Sequence, residues 1–215
     1  MRARSVADND GSINTVPLVT DWQHRHRAGR NRMKVEALAI TDVKIVESRV
    51  FDDARGTFSE SWNRRAFAGA GIVCDFVQDN YVWSSAKGTV RGLHFQAPPY
   101  TQGKLVRVTK GAIYDVALDL RRDSPSFGQH VGALLSASNG KQIWVPQGFA
   151  HGYVTLEPDT EVFYKVTDYY APGAEGGVLW NDPALAIAWP LDGSAAILSE
   201  KDVQLPPLRD LASPF

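Results

Sequence analysis

From Val35 onward the chain alternates between short apolar runs and clusters of turn residues. VEALAI, VKIVESRV, GTFSESW, CDFVQDNYVWS, TVRGLHF, KLVRVTK, AIYDVALDL, GQHVGALLS, KQIWVP, GYVTLEP and TEVFYKVTDYY are rich in Val, Ile, Phe, Tyr and Thr, and Gly, Pro, Asp, Asn and Ser separate them. Closely spaced strand signals of this kind predict an all-β sandwich or barrel. AIYDVALDL alternates with a period of two, so Ile113, Asp115, Ala117 and Asp119 face one way and Tyr114, Val116, Leu118 and Leu120 the other. One face therefore carries a carboxylate, Asp115, for which solvent exposure and a place beside a pocket are evenly matched. Helical signals are few. NRRAFAGAG after Trp62 predicts a turn or two, and SEKDVQ opens with an N-cap serine, Ser199, and acidic first-turn residues.

The first 33 residues break the pattern. They are polar, lack the apolar segment of a signal peptide, and read as an N-terminal tail, with Met33 as an alternative start. His24 and His26 lie there and read as solvated positions. Residues 34–205 form one domain with no internal repeat beyond two half-motifs described below, and 206–215 read as a C-terminal tail. The chain has 215 residues, is 44% hydrophobic and 22% charged, and can bury a sizeable core. A formal net charge of -1 argues against a general nucleic-acid binder. No apolar run is long enough to span a bilayer. One cysteine, Cys74, has no partner for an internal disulfide, which suits a reducing, cytoplasmic compartment. Its apolar setting, GIVCDFV, predicts a small core residue rather than a nucleophile.

Two stretches carry candidate chemistry. In GTVRGLHFQAPPYTQGKLVRVTKG, from Gly88 to Gly111, five residues separate Gly88 from His94 and six separate Lys104 from Gly111. In GKQIWVPQGFAH, Gly140, Pro146, Gly148 and His151 keep the spacing Gly-x5-Pro-x-Gly-x2-His. Together these resemble the two motifs of the cupin superfamily, which implies a jelly-roll barrel with a few short helices. The departures are informative. Gln96 stands where a second ligand histidine belongs, and Lys104 replaces the usual glutamate. An ammonium repels a divalent metal, so no metal and no cofactor are expected. A neutral imidazole beside a fixed positive charge suits removal of a proton from a carbon next to a carbonyl, with the ammonium steadying the enolate.

RGLHFQ, QGKLVRVTKGAIYDVALDLRRDSPSFG, VPQGFAHGY, YKVTDYYAP, WNDP and LSEKD follow one another from Arg91 to Asp202. In that order they resemble the signatures of the dTDP-4-dehydrorhamnose 3,5-epimerases, over about Val35 to Asp202. The resemblance implies a homodimeric, cofactor-independent isomerase acting on dTDP-4-dehydro-6-deoxyglucose, whose C4 ketone acidifies the protons at C3 and C5. It implies His94 as general base with Asp202 behind it, Lys104 as enolate stabiliser and Tyr164 as the acid that returns a proton. It implies sugar and nucleotide contacts from Arg91, His151, Gln78 and Asn80. Phe58 and Tyr170 would flank the thymine, and Arg55 and Glu60 would reach into the site, with a neighbouring subunit as one route. A monoepimerase of the same fold, a metal cupin and a non-catalytic sugar-nucleotide binder remain the alternatives. His130 reads as surface or packing, and Trp180 and Asp182 of WNDP as turn residues.

Overall fold

The computed structural model describes residues 32–193 and 195–215. The part of the expected tail that precedes residue 32, with His24 and His26, lies outside the described residues. Two antiparallel sheets make the body. The first has six strands in the order β1 (Lys34–Ala37), β2 (Lys44–Glu47), β10 (Lys141–Val145), β7 (Lys104–Lys110), β12 (Thr160–Val166) and β5 (Gln78–Ser84). The second has five, β13 (Glu175–Gly177), β6 (Val90–Gln96), β11 (Phe149–Thr155), β8 (Ala112–Asp119) and β9 (His130–Ser136). A separate hairpin pairs β3 (Val50–Asp53) with β4 (Gly56–Ser59). Apart from β1–β2 and β8–β9, neighbours in both sheets are non-consecutive, which gives the cupin-like jelly-roll arrangement that the resemblance to the cupin motifs implies.

The period-two reading of AIYDVALDL holds, but both of its faces are buried. Ile113 and Ala117 join Ile45, Val106, Ile143, Val162 and Phe149 in the core between the sheets. Val116, Leu118 and Leu120 face the other way, onto Leu93, Phe95, Val178 and Leu185. Burying an apolar side chain of this size contributes roughly 1.5–3 kcal/mol, so the second face needs a cover. The C-terminal segment supplies it. Leu208, Leu211 and Phe215 pack on that cluster, the Phe215 ring meets Phe95 edge-on at 5.5 Å, and the Ser213 hydroxyl donates to the Leu120 carbonyl. Residues 206–215, read from the sequence as a tail, thus lie against the sheet.

Both helical turns fall in the segments where the sequence predicts them. Asn63 accepts from the Ala66 amide to start α1 (Arg64–Gly69), and Ser199 accepts from the Asp202 amide to start α2 (Glu200–Val203). Phe67 of α1, with Ile72 and Trp144, closes the outer face of the first sheet. Cys74 packs beside them, and burial pushes its thiol up to about 11, the state of an inert side chain. VKIVESRV, read as one strand, divides at Ser48 into β2 and the start of β3, while CDFVQDNYVWS is strand only from Gln78.

Candidate active site

The site begins at an irregularity in β6. Across the ladder with β11, His94 stands opposite His151, yet Arg91 stands opposite Tyr153. Gly92 and Leu93 thus share a single partner, Gly152, and this bulge puts Arg91 and His94 on one face although three positions separate them. Only glycine allows the approach. Gly92 has φ +122°, and a Cβ there would lie 2.6 Å from the Gly152 Cα and 2.7 Å from the His151 carbonyl oxygen. Leu93 and Phe95 point outward into the core under the C-terminal segment, which leaves His94 facing the barrel interior.

That interior holds a cavity of about 400 Å³, whose lining includes Arg91, His94, Lys104, His151, Tyr164 and Asp202. Five strands and one helix converge to make it. Behind His94, α2 presents Asp202, whose Oδ1 lies 2.5 Å from the imidazole Nε2. Burial alone would raise the Asp202 carboxyl, but the hydrogen bond from His94, the Ser199 side chain and the Gly92 amide hold it below the usual carboxylate range. The aspartate is therefore an anion set against an imidazole, an arrangement that fixes the orientation of the ring.

Lys104 opens β7 on the opposite wall, between Val145 and Val166 of its neighbours. Shielding by the barrel walls lowers its ammonium from 10.5 to about 8, against the opposing pull of Asp115 and Glu175. Tyr164 sits mid-strand on β12. Burial raises its phenol, Arg91 opposes the rise and Glu175 adds to it, so the group keeps its proton at neutral pH. His151 is buried, and its Nε2 lies 3.0 and 2.9 Å from the two oxygens of Asp115. Asp115 is fully buried, not exposed.

Gln96, at the position of the missing histidine ligand, is committed to the backbone. Its amide donates to the carbonyls of Tyr100 and Tyr169 and accepts from the Ala171 amide. Among the described residues no cluster of three or more His, Cys, Asp and Glu side chains comes together to hold a metal.

The remaining expected positions divide into two groups. Gln78, Asn80 and Tyr170 form a connected polar patch: Gln78 donates to Asn80 at 2.9 Å and accepts from the Tyr170 amide at 3.1 Å. The Tyr170 hydroxyl donates to Glu175, which also pairs with Lys201 at 2.5 Å on the cavity rim. Glu175 and Lys201 went unrecognised in the sequence. Lys201 lies inside LSEKD, one residue before Asp202, whereas nothing in PGAEGG marks Glu175. Phe58, Arg55 and Glu60, by contrast, are exposed on or beside the β3–β4 hairpin and do not line the cavity of their own chain. Arg55 is folded back onto Asp53, and the Phe58 ring lies 6.2 Å from Phe51. Trp180 and Asp182 build a turn: Asp182 accepts from the Ala184 and Leu208 amides. Among the described residues no helix is long and apolar enough to cross a membrane.

Comparison with known proteins gives a consistent picture. Residues 37–210 match the family described as dTDP-4-dehydrorhamnose 3,5-epimerase. The protein of that name from Pseudomonas aeruginosa is 56% identical over 173 residues, covering 80% of this chain and 94% of its own length. A crystal structure of the Bacillus anthracis dTDP-4-dehydrorhamnose 3,5-epimerase with TDP and PPi bound is 52% identical, covers 82% of this chain and 99% of its own, and superposes with a TM-score of 0.79. A Legionella pneumophila dTDP-6-deoxy-D-glucose-3,5-epimerase in complex with dTDP-4-keto-L-rhamnose is 44% identical, covers 84% of this chain and 95% of its own, and gives a TM-score of 0.80.

Proposed function

This chain belongs to the dTDP-4-dehydrorhamnose 3,5-epimerase family, and on that footing we propose that it inverts C3 and C5 of dTDP-4-dehydro-6-deoxy-D-glucose to give dTDP-4-dehydro-L-rhamnose. One observation carries the reading: an imidazole, an ammonium and a phenol face a single cavity large enough for a hexose. His94 removes the proton alpha to the C4 ketone, and Asp202 supports the imidazolium that forms. Lys104 meets the enolate oxygen as its charge develops. Tyr164, still protonated because burial raises it, returns a proton to the opposite face of the ring. Each step is a proton transfer, and none requires a cofactor.

The nucleotide lies toward Gln78, Asn80 and Tyr170, where an exposed ring offers contact area for a base. Arg91 at the cavity mouth and His151 inside it contact the sugar and diphosphate side. Arg55, Phe58 and Glu60 act from the hairpin of a second copy in a homodimer, since they stand outside the cavity of their own chain. The enzyme works in the cytoplasm.

The test is deuterium wash-in from heavy water, read by NMR and coupled to a rhamnose-forming reductase. Label at both C3 and C5 supports the reading. Label at one centre assigns a monoepimerase instead, and no label sinks the proton-transfer scheme. In the same assay Tyr164→Phe slows product formation more than it slows exchange of substrate protons.

A further inference from the structure

Asp115 is a charged side chain with no exposed surface, on a strand whose other buried carboxylate, Asp119, is paired with Arg121. A buried carboxylate costs several kcal/mol unless it is paired, so its place needs a reason. In the ladder between β8 and β11, His151 stands opposite Ala117, which makes Asp115 its diagonal neighbour on the same inward face. Both carboxylate oxygens reach the His151 Nε2, at 3.0 and 2.9 Å. Across the barrel interior from this pair lies Lys104.

The charges around Lys104 do not balance without Asp115. Arg91 from β6 and Lys201 from α2 share the cavity and are both positive. Asp202 is engaged by His94, and Glu175 by Lys201 and the Tyr170 hydroxyl near the rim. His94, His151, Tyr153 and Tyr164 complete the titratable groups on the walls. Asp115, like Asp202, is bound directly to an imidazole, and of the two carboxylates that act on Lys104, Asp115 and Glu175, its effect is the larger.

We propose that Asp115 is a positioning residue of this site: its buried carboxylate holds the His151 ring from behind and keeps the Lys104 ammonium charged inside the cavity. The inference rests on the reading that Lys104 meets the enolate as a cation. It assigns the alkaline limit of the enzyme to a residue that does not touch substrate. Shielding has already brought Lys104 down to about 8, within reach of the physiological range, so the loss of one nearby negative charge changes its occupancy at neutral pH.

The experiment follows Lys104 directly, by NMR titration of the protein labelled with 13C at lysine Cε, with the resonance assigned through Lys104→Arg. In Asp115→Asn the Lys104 midpoint falls by about one pH unit or more, and the alkaline limb of deuterium wash-in falls with it. Asp115→Glu, which restores the charge, brings the midpoint back toward wild type. Asp115→Ser is the second variant should the amide not fold. A folded Asn or Ser variant with an unmoved Lys104 midpoint overturns the proposal and leaves Asp115 a structural partner of His151. A wild-type Lys104 that titrates like a free lysine overturns it as well. Failure of the epimerase reading looks different, because the wild type itself then exchanges no substrate proton.

Discussion

His94 and His151 stand directly opposite each other across the β6–β11 ladder, and each has an aspartate behind it. The two pairs are built differently. Asp202 comes from a one-turn helix near the end of the chain and leaves His94 partly open to the cavity, whereas Asp115 comes from a central strand and His151 is buried. The imidazole more open to the cavity is therefore His94, in keeping with its proposed role as base, and His151 is the more enclosed of the two facing residues.

Replacing the base should abolish chemistry and spare recognition. His94→Ala removes the proposed proton acceptor but leaves the polar patch at Gln78, Asn80 and Tyr170 untouched. Wash-in at C3 and C5 should fall by about 10²–10⁴-fold, the usual contribution of a positioned base. Calorimetric titration with dTDP should give nearly wild-type affinity. A variant that keeps most of its exchange rate would refute the assignment.

Activity should fall as pH rises through about 8, where Lys104 loses its proton. Stability responds in the opposite sense. An unfolded lysine keeps its proton to about 10.5, so between about 8 and 10.5 the unfolded chain binds more protons than the folded one, and this group's contribution to stability rises with pH. Wash-in rates and urea unfolding, both measured from pH 7 to pH 10, test the pair of slopes. A rate that declines only because the protein unfolds would contradict it.

The β6 bulge depends on two facing glycines. A Cβ at Gly152 would lie 2.7 Å from the Arg91 carbonyl oxygen and 3.1 Å from the Gly92 Cα, both backbone atoms with little room to yield. Gly152→Ala should destabilise the protein by about 1–3 kcal/mol in chemical denaturation. Exchange activity should fall further than stability predicts, since the strand that carries Arg91 and His94 must move. Wild-type kinetics in a folded Gly152→Ala protein would show that the close approach is dispensable.

Strands, their approximate limits, the two helical turns and the alternation along β8 were legible along the chain, because backbone preference and side-chain alternation are local properties. His94, Lys104, Tyr164 and Asp202 were legible by resemblance, since they lie in segments whose order and wording are distinctive. Other features depend on distance in space. That Asp115 is wholly buried beneath His151, that Glu175 joins Lys201 to Tyr170, and that the last ten residues cover a second core face follow from which strands the jelly roll brings together. So does the common face of Arg91 and His94, which strict alternation would have put on opposite sides of the sheet. Alternation says which residues share a side of one strand. Which charges then face each other across the barrel, and how far burial shifts them, is decided only when non-consecutive strands pair and exclude water between them.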